Sequence, residues 1–367
     1  MRVCEQSLSV VVLLTAVSAL AAPPEYPLLS EGQRDFLSLP RNDREHRLLD
    51  RSSREKLLAL GDKPLSVTLP CAASNTITIR EASLSGGPHR IWHIGSITVN
   101  APQYLLITAA DGGIRLGNLK IATQYRWHSG DGPWREFVTA ATPPRLMRVG
   151  KIANFRDVGG RIGYDGRRVR QGMIYRCAEL NGYAGGRRAG KLFLDAASRR
   201  YLTENLGVRT ELDLRAGRDV RGMTGSPAGE TVAWQHVSFA FYAELHTESG
   251  RNAARKVLEL LLDGANYPLL FHCISGQDRT GTVALLINAL LGVDEEELYR
   301  DWEVSVFANA DTRFNHRDRF YKLIASFDRY PGSTLNRRIE AFVLSLGFSR
   351  VQLEQWREMM MESEQKQ

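Results

Sequence analysis

The chain has 367 residues, more than one hydrophobic core usually organises, so at least two domains are expected. Apolar residues at 43% and charged residues at 24% are ordinary for a globular protein and exclude a disordered or fibrous chain. The formal charge of +7 comes from scattered arginines such as Arg167, Arg168, Arg170, Arg187 and Arg188. It reads as a solvated basic face open to acidic partners and to transient contact with an anionic surface. With no low-complexity tail and no basic stripe interleaved with aromatics, no nucleic-acid site is read.

Residues 1–21 read as a cleavable export signal. Arg2 gives a weakly basic start, Leu8 to Leu20 form an apolar core, and Ala19-Leu20-Ala21 supplies a small-x-small cleavage site. Such a core is too short to span a bilayer as a mature helix. A secreted protein is expected, periplasmic if the source is a Gram-negative bacterium. Loss of Cys4 with the signal leaves Cys71, Cys177 and Cys273, too few for a disulfide framework.

Residues 22–63 are charged and punctuated by proline, with helical spacing over Glu31–Leu37 and Asp43–Leu60. They predict an arm that docks on another part of the molecule. Residues 64–147 change to short alternating stretches, Ser66–Leu69, Thr76–Arg80, Ile97–Asn100, Tyr104–Ala109 and Ala122–Trp127. Turn residues separate them at Gly86-Gly87-Pro88, Asp111-Gly112-Gly113 and Asp131-Gly132-Pro133. A small all-β sandwich is expected, with a positioning or ligand-presenting role. Leu119–Trp127 followed by Phe137-Val138-Thr139 resembles the late strands of a fibronectin type III domain.

Residues 148–367 alternate strand and helix. Strands are predicted at Met173–Arg176, Glu211–Leu214, Trp234–Val237 and Leu269–His272. Helices are predicted at Lys191–Asn205, Asn252–Leu262, Thr280–Leu291, Glu295–Ala308, Arg317–Phe327, Asn336–Leu346 and Arg350–Glu362. This order implies an α/β domain with a central, largely parallel sheet flanked by helices and a site at the carboxyl ends of the strands.

The most informative stretch is Phe271-His272-Cys273-Ile274-Ser275-Gly276-Gln277-Asp278-Arg279-Thr280-Gly281. It puts a thiol at a strand end and a guanidinium at a helix start, with five residues of tight loop between them. Backbone N–H groups of Ile274, Ser275, Gly276, Gln277, Asp278 and Arg279 would converge on an anion, helped by the helix N-terminus. Arg279 can grip two phosphate oxygens, and the same field favours a thiolate at Cys273. This is equipment for nucleophilic attack on a phosphate monoester.

The pattern HC-x-x-G-x-D-R-T-G resembles the bacterial tyrosine phosphatase-like family of cysteine-dependent phosphatases. Asn154-Phe155-Arg156-Asp157-Val158-Gly159-Gly160 with Met173–Arg176 matches the opening of such domains. Leu206–Arg215 matches their helix-to-strand segment, and Leu291-Gly292-Val293-Asp294 their next helix. The resemblance implies a phosphocysteine mechanism on phosphotyrosine and, in some members, phosphoserine, phosphothreonine or phosphoinositides. It implies no cofactor and no metal, in keeping with the lack of a metal-ligand cluster, a GxxxxGK[ST] loop or a dinucleotide fingerprint in the sequence.

Proton transfer to the leaving oxygen is assigned to Asp278, the acid the family implies, with Asp213 at a central strand end as second candidate. No aspartate occurs between Asp219 and Asp263 to serve from a mobile loop. Thr280 is expected to donate to the thiolate as the intermediate breaks down, and His272 to orient the loop. Cys177, where related domains usually carry serine, either stays unpaired or forms a reversible disulfide with Cys273. Related loops often place lysine at position 277. Gln277 lacks that charge, which favours phosphotyrosine, phosphoserine or simple phosphate esters over polyphosphorylated inositides. Two alternatives stay open, an inositol phosphate or phosphoinositide phosphatase, and a phosphate-binding pseudoenzyme with an adhesive β domain.

Overall fold

The computed structural model describes residues 22–82, 88–182, 191–239, 242–308 and 317–363. The export segment, the turn glycines Gly86 and Gly87, and Arg187 and Arg188 lie outside the described residues.

The chain enters through β1 (Glu25–Tyr26) and three short helices, α1 (Glu31–Ser38), α2 (Arg41–Leu49) and α3 (Arg51–Ala59). Ser30 and Gln33 form a capping box at the start of α1, and Asp50 caps α3 by accepting from Ser53 N. Helical spacing was legible from Glu31, but Pro40 and Asp50 divide it into three segments. Phe36, Leu37, Leu48 and Leu57 pack with Leu146, Val304 and Phe307, so the predicted arm docks on the C-terminal half. Buried Arg44 anchors it there, donating to Glu303 at 2.5 Å and Glu296 at 3.0 Å.

Eight strands follow: β2 (Val67–Pro70), β3 (Thr76–Glu81), β4 (His89–Ile94), β5 (Ile97–Pro102), β6 (Leu106–Ala110), β7 (Gly113–Gly117), β8 (Gln124–Ser129) and β9 (Arg135–Thr139). They form a sheet of order β1-β9-β8-β3-β5-β4 and a second of order β2-β7-β6. Ile77, Ile79, Val99, Ile114, Leu116, Tyr125 and Phe137 alternate with exposed neighbours and share one core. Two pairs run parallel, β3 with β5 and β1 with β9, unlike an all-antiparallel sandwich. The sequence reading missed β1, β4 and β7. Glycines bound β7, and β4 alternates exposed with half-buried residues, so neither carries a strong buried signature.

The C-terminal half is built on β10 (Arg145–Leu146), β11 (Arg156–Asp157), β12 (Ile174–Cys177), β13 (Thr210–Asp213), β14 (Ala233–His236) and β15 (Leu269–His272). Their order is β10-β11-β12-β15-β13-β14. The four strands β12, β15, β13 and β14 run parallel, while β10 and β11 add antiparallel. Around them lie α4 (Ala196–Arg200), α5 (Glu248–Leu262), α6 (Asp278–Leu290), α7 (Glu295–Glu303), α8 (Arg317–Ser326), α9 (Leu335–Leu344) and α10 (Arg350–Met360). Central β15 is Leu-Leu-Phe-His with every residue buried, the apolar run expected of a doubly covered strand. Residues Arg279–Leu290 of α6 are buried as well, so this helix is core on all sides. A strand and a helix that can shift only with the whole core therefore hold the loop between them.

Candidate active site

Cys273 follows β15 directly and is almost fully buried, at 3% exposure. Its loop turns through Gly276, where φ is +67°. A Cβ at that glycine would lie 2.4 Å from the carbonyl oxygen of Cys177, so both the left-handed backbone and the close approach require glycine. The backbone N–H groups of Ile274, Ser275 and Gly276 have no acceptor among the described residues. Their carbonyls are held from outside: Glu179 N donates to Ile274 O at 3.1 Å, and Asn154 Nδ2 donates to Ser275 O at 3.1 Å and Gly276 O at 3.0 Å. Pulling carbonyls outward leaves N–H groups for an anion.

Gln277 takes the N-cap position of α6 without a side-chain capping bond, and Asp278 and Arg279 occupy its first turn. Arg279, 6% exposed, donates to Leu214 O at 3.1 Å and lies 3.8 Å from the Asp219 carboxylate. Those contacts hold the guanidinium over the loop. Asp278 is half-buried and accepts a hydrogen bond from the Tyr242 hydroxyl. Burial first, then the Asp278 charge, pushes the Tyr242 phenol far above its usual range, so it stays a donor. Thr280 is fully buried, and its hydroxyl has no partner among the described residues.

Under the loop lies a charge network. Asp301 takes hydrogen bonds from Arg161 at 3.1 Å, Arg156 at 3.3 Å and Arg176. Arg176 also donates to Gly276 O at 2.8 Å. Burial opposes the Asp301 charge, but Arg176, Arg156 and Arg161 outweigh it and hold the carboxyl below the usual range. Truncating one member of such a buried cluster leaves an uncompensated charge.

His272 sits at the other side of the strand end, with Nε2 2.9 Å from Glu211 Oε1 and Nδ1 3.2 Å from Cys273 O. Burial works against its charged form, but Asp213 and Glu211 prevail and raise it above the usual imidazole range. Asp213, in register with His272, is fully buried and accepts from Arg215 Nη2 at 2.6 Å and Nε at 2.9 Å. Burial opposes its ionisation, yet His272 and Arg215 lower it to about 2. The structure thus sets Asp213 in a brace with Arg215, apart from the Asp278–Tyr242 pair. Glu211, Asp213 and His272 bring ligand-type atoms together. Those atoms are already engaged, because Ser226 takes the second Glu211 oxygen and Arg215 both Asp213 oxygens.

Cys177 and Cys273 are both free thiols. Cys177 pairs in register with His272 and packs with Phe155, Tyr175 and Leu270, whereas Cys273 packs with Leu214, Phe271 and Val283 on the other face. Burial keeps the Cys177 thiol well above its ordinary range, which favours the protonated form. The sequence reading missed Tyr242, Glu211, Asp219 and Asp301. It quoted Asn154 only as part of an opening block, without its role under the loop. Nothing local marks Tyr242; it is one more aromatic in Phe239-Ala240-Phe241-Tyr242.

A strand-borne thiol, a loop with open N–H groups and an arginine in the next helical turn lie together at the end of β15. Residues 147–362 match the model of the tyrosine phosphatase family, and the chain belongs to that family. A Cupriavidus necator protein that carries a tyrosine-protein phosphatase name is 28% identical over 185 residues. The match covers 43% of this chain and 62% of the length of that relative. Among solved structures, Pseudomonas aeruginosa TpbA in complex with pTyr is similar over 50% of this chain and 91% of its own, at 16% identity and a TM-score of 0.32. The core catalytic domain of the PP-IP phosphatase SIW14 of S. cerevisiae is similar over 42% of this chain and 87% of its own, at 20% identity and a TM-score of 0.25.

Proposed function

We propose that the protein is an exported phosphatase that hydrolyses phosphate monoesters, foremost protein phosphotyrosine, through a phosphocysteine at Cys273. The reading rests on one observation: Cys273 and Arg279 flank a loop whose Ile274, Ser275 and Gly276 N–H groups have no acceptor among the described residues. Phosphate oxygens would take those donors and the Arg279 fork. The Cys273 thiolate attacks phosphorus, the bond from phosphorus to the ester oxygen breaks, and that oxygen leaves with the proton of Asp278. Asp278, now a carboxylate, takes a proton from water as the water oxygen attacks phosphorus. The sulfur–phosphorus bond breaks, phosphate departs and the thiolate returns, with Thr280 donating to it. No metal enters these steps.

The protein class of substrate is preferred because Gln277 adds no second cation beside the cradle. Phosphoserine and phosphothreonine peptides fit the same chemistry. Export rests on the apolar Leu8–Leu20 segment and its small-residue cleavage site. The deciding experiment is turnover of p-nitrophenyl phosphate and phosphotyrosine peptide by wild type and Cys273→Ser, with and without EDTA. Wild type should turn over in EDTA, and Cys273→Ser should be inactive yet fold and bind phosphate. Undiminished turnover by Cys273→Ser would rule out the phosphocysteine route.

A further inference from the structure

A groove of about 530 Å³ runs between the β-rich half and the α4 side of the phosphatase half, away from the residues of the Cys273 loop. Lys63, Arg90, Arg115, Arg148 and Arg200 line it against a single carboxylate, Asp195. That carboxylate is spent as the cap of α4, accepting from Ser198 N and Oγ at 2.7 Å each. Lys63 and Arg90 have neighbours, Asp62 at 3.4 Å and Glu204 at 3.0 Å. Arg115, Arg148 and Arg200 are exposed, and none has an ion-pair partner among the described residues. Three unneutralised guanidiniums around one concavity concentrate positive potential there.

The walls limit what fits. Two of them are the terminal strands of their sheets: β4 contributes Arg90 and Trp92, and β6 contributes Leu106 and Thr108. Terminal strands leave backbone groups unpaired, which suits an added extended segment. Trp92, Leu106 and Val149 make part of the floor apolar. The Trp92 indole N–H is buried without an acceptor among the described residues, an unmet donor that a peptide carbonyl would satisfy. The free arginines stand on separate elements, Arg115 on β7, Arg148 in the linker after β10 and Arg200 at the end of α4. Dispersed cations over an apolar floor match carboxylates spaced along a chain; a compact polyphosphate needs cations that converge.

We infer that this groove binds an extended acidic peptide segment, with alternate glutamates or aspartates on Arg115, Arg148 and Arg200 and apolar residues on Trp92 and Leu106. It is a docking site separate from the Cys273 loop, and binding at it does not depend on the reaction proposed above.

The test uses the full chain and a fluorescein-labelled, unphosphorylated twelve-residue peptide of alternating glutamate and valine, read by anisotropy at low salt. Wild type should bind it, and a control with lysine for glutamate should not bind. The triple variant Arg115→Glu, Arg148→Glu, Arg200→Glu should weaken binding at least ~10-fold, and added salt should weaken wild type. Turnover of p-nitrophenyl phosphate should be unchanged in the triple variant. If that variant fails to fold, the neutral set Arg115→Gln, Arg148→Gln, Arg200→Gln carries the same comparison. Equal affinity of wild type and variant, or no binding at all, overturns the proposal. So does inositol hexakisphosphate that binds through the three arginines while the peptide does not.

Discussion

The backbone N–H of Asn154 donates to the Asp62 carboxylate at 2.5 Å, although the two residues are 92 positions apart. Asn154 holds φ at +58°, a left-handed conformation that asparagine tolerates better than most residues, and its side chain supports Ser275 O, Gly276 O and Ser305 Oγ. The end of the N-terminal arm thus reaches the phosphate loop through one residue. Asn154→Ala should lower kcat on p-nitrophenyl phosphate by ~100-fold, because the loop carbonyls lose their tether and the N–H groups their aim. Asp62→Ala, acting through Asn154, should cost about 10-fold or less by the same argument. Both variants should retain circular dichroism and a cooperative melt. Full activity in Asn154→Ala would show that the loop holds its shape without the tether.

Asp278 and Asp213 make opposite predictions. Asp278→Asn should slow hydrolysis of alkyl phosphates ~100- to 10,000-fold and p-nitrophenyl phosphate much less, since a good leaving group needs little protonation. Tyr242→Phe should lose less than Asp278→Asn, because it frees the carboxylate without removing it. Asp213→Asn should show no leaving-group dependence and should lower the melting temperature, since it leaves buried Arg215 without its partner. A dead Asp213→Asn beside a fully active Asp278→Asn would reverse the assignment.

Position 277 is where the proposed preference for singly phosphorylated substrates can be tested. Gln277→Lys should raise kcat/KM for a phosphoinositide relative to a phosphotyrosine peptide, and part of that gain should disappear in high salt. The ratio for the two substrates, at matched low ionic strength, is the measurement. A flat ratio means that position 277 faces away from the substrate.

Stability should fall at both ends of the pH scale for reasons at one strand pair. Asp213 is lowered from 3.8 to about 2, so its contribution, about 2 kcal/mol, is present above pH 4 and is lost as pH falls towards 2. His272 is raised, so its contribution is complete below the usual imidazole range and is lost as pH rises through its folded value. Urea unfolding across pH 2.5 to 9 should show the acid limb flattened in Asp213→Asn and the alkaline limb flattened in His272→Gln. An unaltered alkaline limb in His272→Gln would mean that this histidine folds uncharged.

The strand Leu269–His272 is bounded in the structure as the sequence predicts, and α6 starts two residues before the predicted Thr280. Both are legible because they are continuous apolar runs on either side of a turn that only glycine can make. The other helices keep their places with shifted ends. The segment predicted as a helix over Lys191–Asn205 is shorter, with α4 at Ala196–Arg200 followed by one wider turn, because Asp195 caps it. Weak elements escape for different reasons: β1 is two residues long and is held only by β9, distant in sequence, whereas β4 forms a hairpin with β5 but alternates exposed with half-buried residues.

The sequence by itself determined the residues on which the proposed chemistry rests: a thiol, a glycine turn, an acid and an arginine within eleven residues, flanked by the apolar runs that become strand and helix. Those features are local, and burial of the flanking runs suffices to enforce them. Tertiary structure alone decided which partners the two candidate carboxylates meet. Asp278 meets Tyr242 across 36 residues, and Asp213 is held by Arg215 and faces His272 on the neighbouring strand. It also decided that Cys177 lies across the sheet from Cys273, and that an arm ending at Asp62 supports the loop through Asn154. Such pairings depend on strand register and on where buried charges find partners. Neither leaves a periodic trace along the chain.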